Sequence, residues 1–155
     1  MIRVVENHPD DLESVRCLFR EYQDFIGISL CFQSFEEELD SLPGRYSKAN
    51  DGCLYLASTD GEPSGCVAFY RIDDTTCELK RLFVRPSFQK RGIGKSLMDR
   101  AICDAIDVGY QKMVLDTLRR LEGAGVLYQR LGFSEIDPYN VNPHPDVAYF
   151  SKSLS

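Results

Sequence analysis

Apolar residues along this chain follow two rhythms, and the switches between them predict its elements. Ile2-Arg3-Val4-Val5 alternates weakly, as a short opening strand does. Asn7-His8-Pro9-Asp10-Asp11 then supplies a turn with acids placed for a first helical turn. Beyond it, Leu12, Val15, Leu18, Phe19, Tyr22 and Phe25 recur at helical spacing, and Gly27 closes the helix. A second helix is expected over 34–42, because Ser34 with Glu37 three residues on forms a capping box and Pro43-Gly44 stops the chain. Three strands are predicted over 53–58, 64–72 and 75–84. The breaks between them, Asp60-Gly61 and Asp73-Asp74, are short enough for antiparallel hairpins. The clearest helix follows: Ile93, Leu97, Met98, Ala101, Ile102, Ala105 and Ile106 form one stripe, ended by Gly109. A strand over 112–117, a helix over 118–131 and two strands over 133–136 and 147–151 complete the order β-α-α-β-β-β-α-β-α-β-β. This is an α/β pattern with a mixed sheet and a meander in its middle.

Composition narrows the classes. The chain has 155 residues, 43% apolar and 27% charged, which suits one core and a single domain over 1–155. Eighteen Lys and Arg against 24 Asp and Glu leave a net charge of −6, and no basic stripe offers nucleic acid a footprint. No apolar run approaches the ~20 residues that span a bilayer. Met1-Ile2-Arg3-Val4-Val5-Glu6 lacks the charged start and long apolar stretch of a secretory signal. A soluble, cytoplasmic protein without membrane or nucleic-acid partners is expected. The six cysteines contain no Cys-x-x-Cys pair, and His8 and His144 lie far apart. No metal site is expected, and the cysteines read as small buried hydrophobes.

Candidate chemistry gathers in one segment. Leu82-Phe83-Val84-Arg85-Pro86-Ser87-Phe88-Gln89-Lys90-Arg91-Gly92-Ile93-Gly94-Lys95-Ser96 reads as a strand, a loop and a glycine-bearing helix start. A helix N-terminus presents unpaired N–H groups and partial positive charge, and can hold a phosphate. Gly92 and Gly94 let backbone approach an anion closely, while Lys90, Arg91 and Lys95 reverse the charge of an acidic chain. The dinucleotide fingerprint fails, since its third glycine would fall on Leu97; the Walker loop fails, since its first would fall on Gln89.

Gln89-x-x-Gly92-x-Gly94 after a strand resembles the acyl-CoA pyrophosphate loop of the GNAT N-acetyltransferase superfamily. Cys77-Glu78-Leu79-Lys80-Arg81-Leu82-Phe83-Val84-Arg85-Pro86 is similar to the family's fourth strand. Leu115-Asp116-Thr117 resembles the end of its fifth, and Ala124-x-x-x-Tyr128-x-x-x-Gly132-Phe133 its last helix and turn. The resemblance covers nearly the whole chain and implies acetyl-CoA as cofactor and an amine as acceptor. It implies backbone pairing of Leu82, Phe83 and Val84 with the pantetheine arm, and a pyrophosphate held by Gln89, Lys90, Arg91, Gly92, Ile93, Gly94 and Lys95. It further implies Tyr128 as proton donor to the CoA sulfur. Glu78 stands where some members place a general base and others use a water chain; a salt bridge to Lys80 or Arg81 is the alternative. Many members carry an asparagine seven residues before the tyrosine, where this chain has Leu121. Gly123 and Gly125, inside the last helix, point to a close approach of cofactor or strand. Tyr22, Phe32, Gln33, Tyr139 and Asn142, with Cys31 and Tyr46 beside them, are expected to line the acceptor cleft and to suit a small amine, an amino acid or polyamine. A protein N-terminus or lysine as acceptor, and a non-catalytic acyl-CoA sensor, are the alternatives. Homodimers are common in the resembled family.

Overall fold

The computed structural model describes residues 1–30 and 34–155. Its strands are β1 (Ile2–Val4), β2 (Cys53–Thr59), β3 (Glu62–Arg71), β4 (Thr76–Val84), β5 (Lys112–Leu118), β6 (Ser134–Ile136) and β7 (Val147–Ser153). They form one sheet in the order β1-β2-β3-β4-β5-β7-β6. Helices α1 (Pro9–Ile26), α2 (Phe35–Ser41), α3 (Ile93–Val108) and α4 (Glu122–Arg130) cover it. The element order is the one the hydrophobic rhythm predicts. All neighbouring strands are antiparallel except β4 and β5, which run parallel because α3 carries the chain back across the sheet.

Both sheet faces are covered. On one, Leu97, Met98 and Ala101 of α3 and Tyr128 of α4 pack on Tyr55, Phe69, Leu79 and Leu115. On the other, Val15, Leu18 and Phe19 of α1 with Phe35 and Leu39 of α2 pack on Leu54, Leu56 and Cys66. Burial on both faces explains the continuous apolar run of β2.

Several local expectations are corrected by tertiary contacts. Ser34 adopts a left-handed conformation (φ 56) and its side chain makes no cap bond, so the capping box does not form. Helix α4 starts at Glu122 rather than at 118, because β7 keeps the chain extended up to the Leu118↔Val147 pair. Ile106 is 47% exposed, so the apolar stripe of α3 is narrower than predicted. Cys53, Cys66 and Cys77 are buried, whereas Cys17 and Cys103 are exposed.

Two irregularities in β4 shape what lies at the middle of the sheet. Strand β3 pairs Cys66↔Phe83 and then Ala68↔Lys80, so Arg81 and Leu82 together face Val67 in a β-bulge. Arg81 takes φ 62 there. Regular alternation would send Lys80 and Arg81 to opposite faces; the bulge turns both toward α1 and α2. Strand β4 also pairs with β5 only from Thr76↔Lys112 to Glu78↔Val114. Beyond those positions β4 stays with β3 and β5 stays with β7, so the two parallel strands part and open a gap in the sheet.

Candidate active site

The loop leaving β4 is tied down before it reaches α3. Arg85 donates to Glu21 of α1 at 2.8 and 2.6 Å and to the Pro63 carbonyl at 2.9 Å. Gln89 Nε2 donates to the Val84 carbonyl at 3.1 Å. Lys90 (φ 64) and Gly92 (φ 78) then turn the chain into the helix. The first helical bond runs from the Ser96 amide to the Gly92 carbonyl at 3.0 Å. The amides of Ile93, Gly94 and Lys95 precede it and face outward without helical partners. At Gly92 an added Cβ would meet nothing within 4 Å, so only open space lies on that side. At Gly94 it would make ordinary contact with Leu127 at 3.6 Å and Val84 at 3.8 Å, which places the helix start beside β4 and α4. The nearby charges differ: Arg91 lies over the Phe88 ring at 5.3 Å, while Lys95 is paired with Asp99 at 2.7 Å.

Tyr128 sits at the gap. Its ring packs on Phe133 and Phe150, with centroids 5.9 and 6.1 Å away. Burial, with Tyr22 and Asp116 adding to it, holds its phenol well above the usual tyrosine range, so it stays protonated. Tyr22 belongs to the opposite face of the sheet, where its ring meets Phe83 at 6.0 Å. Tyr22 adds to the upward shift of Tyr128, while burial pushes Tyr22 itself up to about 12.

On the α1 side the gap opens into a cleft lined by Tyr22, Lys80, Arg81, Asp116, Asn142 and His144. A neighbouring recess adds Arg45, Tyr70 and Glu78 and shares Lys80, Asp116 and Asn142. Glu78 is 2% exposed and accepts hydrogen bonds from the hydroxyls of Tyr70 and Tyr139. Lys80 Nζ stands between Glu78 at 3.6 Å and Asp116 at 3.5 Å. Arg81 instead pairs with Glu38 of α2 at 3.0 Å, and Arg45 joins the same carboxylate at 2.9 Å. Among the described residues, Asp116 Oδ2 is the buried side-chain oxygen that finds no hydrogen-bond partner.

The structure places Tyr22, Asn142 and Glu78 in the cleft lining and Tyr139 against Glu78, while Tyr128 lies buried in the core on the α3 and α4 side. Asn142 accepts from the His144 amide at 2.9 Å. Cys31, Phe32 and Gln33 lie outside the described residues. Tyr46 is a core residue, 1% exposed against Phe19 and Tyr70. Added Cβ atoms at Gly123 and Gly125 meet nothing within 4 Å, so no neighbouring strand accounts for them. Asp116 is a cleft residue that sequence reasoning left without a role, and Lys80 and Arg81 were expected there only as salt-bridge partners of Glu78, which Lys80 approaches at 3.6 Å. Adjacent cations inside an apolar strand were the available signal.

Among the described residues no group of three His, Cys, Asp or Glu side chains could hold a metal ion, and no helix is long and apolar enough to cross a membrane. An acyl-CoA fits what is present: outward amides, open space at Gly92, and a parted β4 edge that leads to a buried phenol. Comparison with known proteins agrees. The model of the acetyltransferase (GNAT) family matches residues 14–133. An uncharacterized N-acetyltransferase of Dictyostelium discoideum is 32% identical, covering 98% of each chain. One of Schizosaccharomyces pombe is 35% identical over 95% of this chain and 91% of its own. Among solved structures, an acetyltransferase from Streptococcus agalactiae superposes with a TM-score of 0.83 at 23% identity, over 99% of this chain and 97% of that one. An N-acetyltransferase from Thermoplasma acidophilum, solved in complex with coenzyme A, gives 0.76 at 23% identity over 99% of both. With its sheet parted at β4 and β5 and its family model spanning most of its length, this chain belongs to the GNAT family of acetyltransferases.

Proposed function

We propose that this protein transfers the acetyl group of acetyl-CoA to the primary amine of a small molecule, in a complex holding both. The observation that carries this reading is the gap between β4 and β5, which opens on the α1 side into the cleft lined by Tyr22, Lys80 and Asp116. A donor entering along the α3 side and an amine entering along the α1 side meet there. The amides of Ile93, Gly94 and Lys95, with Gln89, Lys90, Arg91 and Gly92, would hold the pyrophosphate. The free β4 backbone at Leu82, Phe83 and Val84 would pair with the pantetheine arm as an added strand does. Bound acetyl-CoA supplies an activated acetyl thioester.

The chain's own residues then manage protons. An amine is mostly protonated near neutrality, with α-amines near ~8 and lysine ε-amines near ~10.4, so a carboxylate in the cleft must relieve it of a proton. Glu78 and Asp116 are placed there. Tyr128, kept protonated by burial, is the donor for the departing sulfur. A cleft with buried groups of both charges, lined on one side by Asn142 and His144, supports a small amine.

Thermal stability with and without saturating acetyl-CoA tests the donor site, with ATP and NADPH as controls. At ~100 times its Kd the donor contributes about 2.7 kcal/mol, a Tm rise of several degrees. A rise with acetyl-CoA alone leads to a thiol-release assay over a panel of amines. No rise refutes the donor site.

A further inference from the structure

We propose that Asp116 is the group that takes the acceptor amine's proton, and that Glu78 is a positioning residue beside it. The inference rests on the acetyltransferase reading above and goes beyond it by assigning the base. Hydrogen-bond partners separate the two carboxylates. Glu78 already accepts from the Tyr70 and Tyr139 hydroxyls, one on each oxygen, and has Lys80 Nζ at 3.6 Å. An amine N–H approaching Glu78 would compete with donors already in place on both oxygens. Asp116 has Lys80 near Oδ1 only, at 3.5 Å, while Oδ2 is buried and unpartnered. Leaving such an acceptor unsatisfied is costly, and the N–H of a bound amine is the donor that would satisfy it. Asp116 lines both parts of the cleft.

Position agrees with that assignment. Asp116 lies in β5 two residues beyond Val114, the last residue that pairs with β4 before the strands part. Its charge is felt by Tyr128 from the α4 side and by Tyr22 from the α1 side. Glu78 influences Tyr70, Tyr139 and Tyr149 instead. The charged and titratable groups facing Asp116 are Glu78, Lys80 and Arg81 from β4, Tyr70 from β3, Arg45 from the segment after α2, Tyr22 from α1, Tyr128 from α4, Tyr149 from β7, and Tyr139 and His144 from the loop between β6 and β7.

The balance is simple. An ammonium gives one proton to Asp116 Oδ2, which passes it to solvent on turnover. The freed nitrogen lone pair forms the bond to the acetyl carbon, and the carbon–sulfur bond breaks with its pair on sulfur. Sulfur takes a proton from Tyr128, and the phenol is replenished by the second proton leaving the nitrogen.

The test uses the full chain, acetyl-CoA and a panel of the twenty L-amino acids, spermidine and tyramine. With the amine that turns over, Asp116→Asn is expected to lower kcat/KM by about 10²–10⁴-fold. Its log kcat/KM should then climb with pH at unit slope toward the amine's own pKa, because the variant can use only amine deprotonated in solution. Glu78→Gln should lower the rate but keep the wild-type profile, and Asp116→Glu should restore that profile at reduced rate. By calorimetry, the same amine should bind CoA-loaded Asp116→Asn about tenfold or more weakly than the wild type. The same slope in both Asn and Gln variants, in neither, or in Glu78→Gln alone overturns the assignment, as does unchanged amine affinity. Wild-type protein that acetylates no amine in the panel sinks the acetyltransferase reading instead, and this inference with it.

Discussion

Replacing Gly92 with alanine separates backbone strain from cofactor binding in one variant. Gly92 caps α3 at φ 78 and ψ 9, a left-handed conformation that costs a residue bearing Cβ about 1–2 kcal/mol. The new methyl meets no protein atom within 4 Å, so no clash adds to that cost. For a chain of this size 1 kcal/mol moves Tm by about 2–4 °C, and the ligand-free variant should melt about 2–8 °C lower. Native protein at ~100 times Kd of acetyl-CoA gains about 2.7 kcal/mol, a rise of about 5–11 °C. A methyl that holds the pyrophosphate off the amides forfeits one or two charge-assisted hydrogen bonds, roughly 10–100-fold in affinity. At the same acetyl-CoA concentration about 0.4–1.4 kcal/mol would remain, a rise of only about 1–6 °C. Differential scanning fluorimetry of both proteins reads both effects. A variant that keeps the full native rise refutes the amide cradle, and one whose ligand-free Tm does not move refutes the strain.

Three further outcomes are expected. Tyr128→Phe should cut turnover by about 10²–10⁴-fold while leaving acetyl-CoA affinity unchanged; unaltered turnover in the thiol-release assay would remove Tyr128 as the acid. Glu38→Gln leaves Arg81, whose side chain is 2% exposed, without its carboxylate inside the protein. Urea unfolding should show a loss of about 3–5 kcal/mol, and a loss below about 1 kcal/mol contradicts the buried pair. Asp11 is held below the usual carboxylate range, first by its hydrogen bonds from Arg3 at 3.0 and 2.7 Å. A folded value lower than the unfolded one stabilises the native state above about pH 3.9, and this contribution fades as pH falls through the lower folded value. Asp11→Asn should therefore be less stable than wild type at pH 7, by under about 1 kcal/mol for this partly exposed pair. The two melting curves should converge toward pH 2, and a difference that persists there argues against the ion pair.

The sequence alone determined the element order, the glycine-bearing start of α3 and the phenol on the last helix. These features are local: periodicity, glycine punctuation and the spacing Gln89-x-x-Gly92-x-Gly94 depend on residues a few positions apart. Helix boundaries slipped where distant strands intervened, as at Leu118, which Val147 holds in the sheet. Ser34 and Glu37 carried a capping signal that the chain's actual entry into α2 does not use. The charged cleft was hidden for a stronger reason. Lys80 and Arg81 share a face only because of a bulge set by their pairing with β3. Asp116 meets Lys80, and Glu78 meets Tyr139 61 positions away, only once β4 and β5 run side by side and then part. Which carboxylate takes a donor on each oxygen and which keeps one oxygen unpartnered depends on distances between segments remote in the chain. Tertiary structure alone decided that, because hydrogen-bond satisfaction is a property of the packed site and not of any stretch of residues.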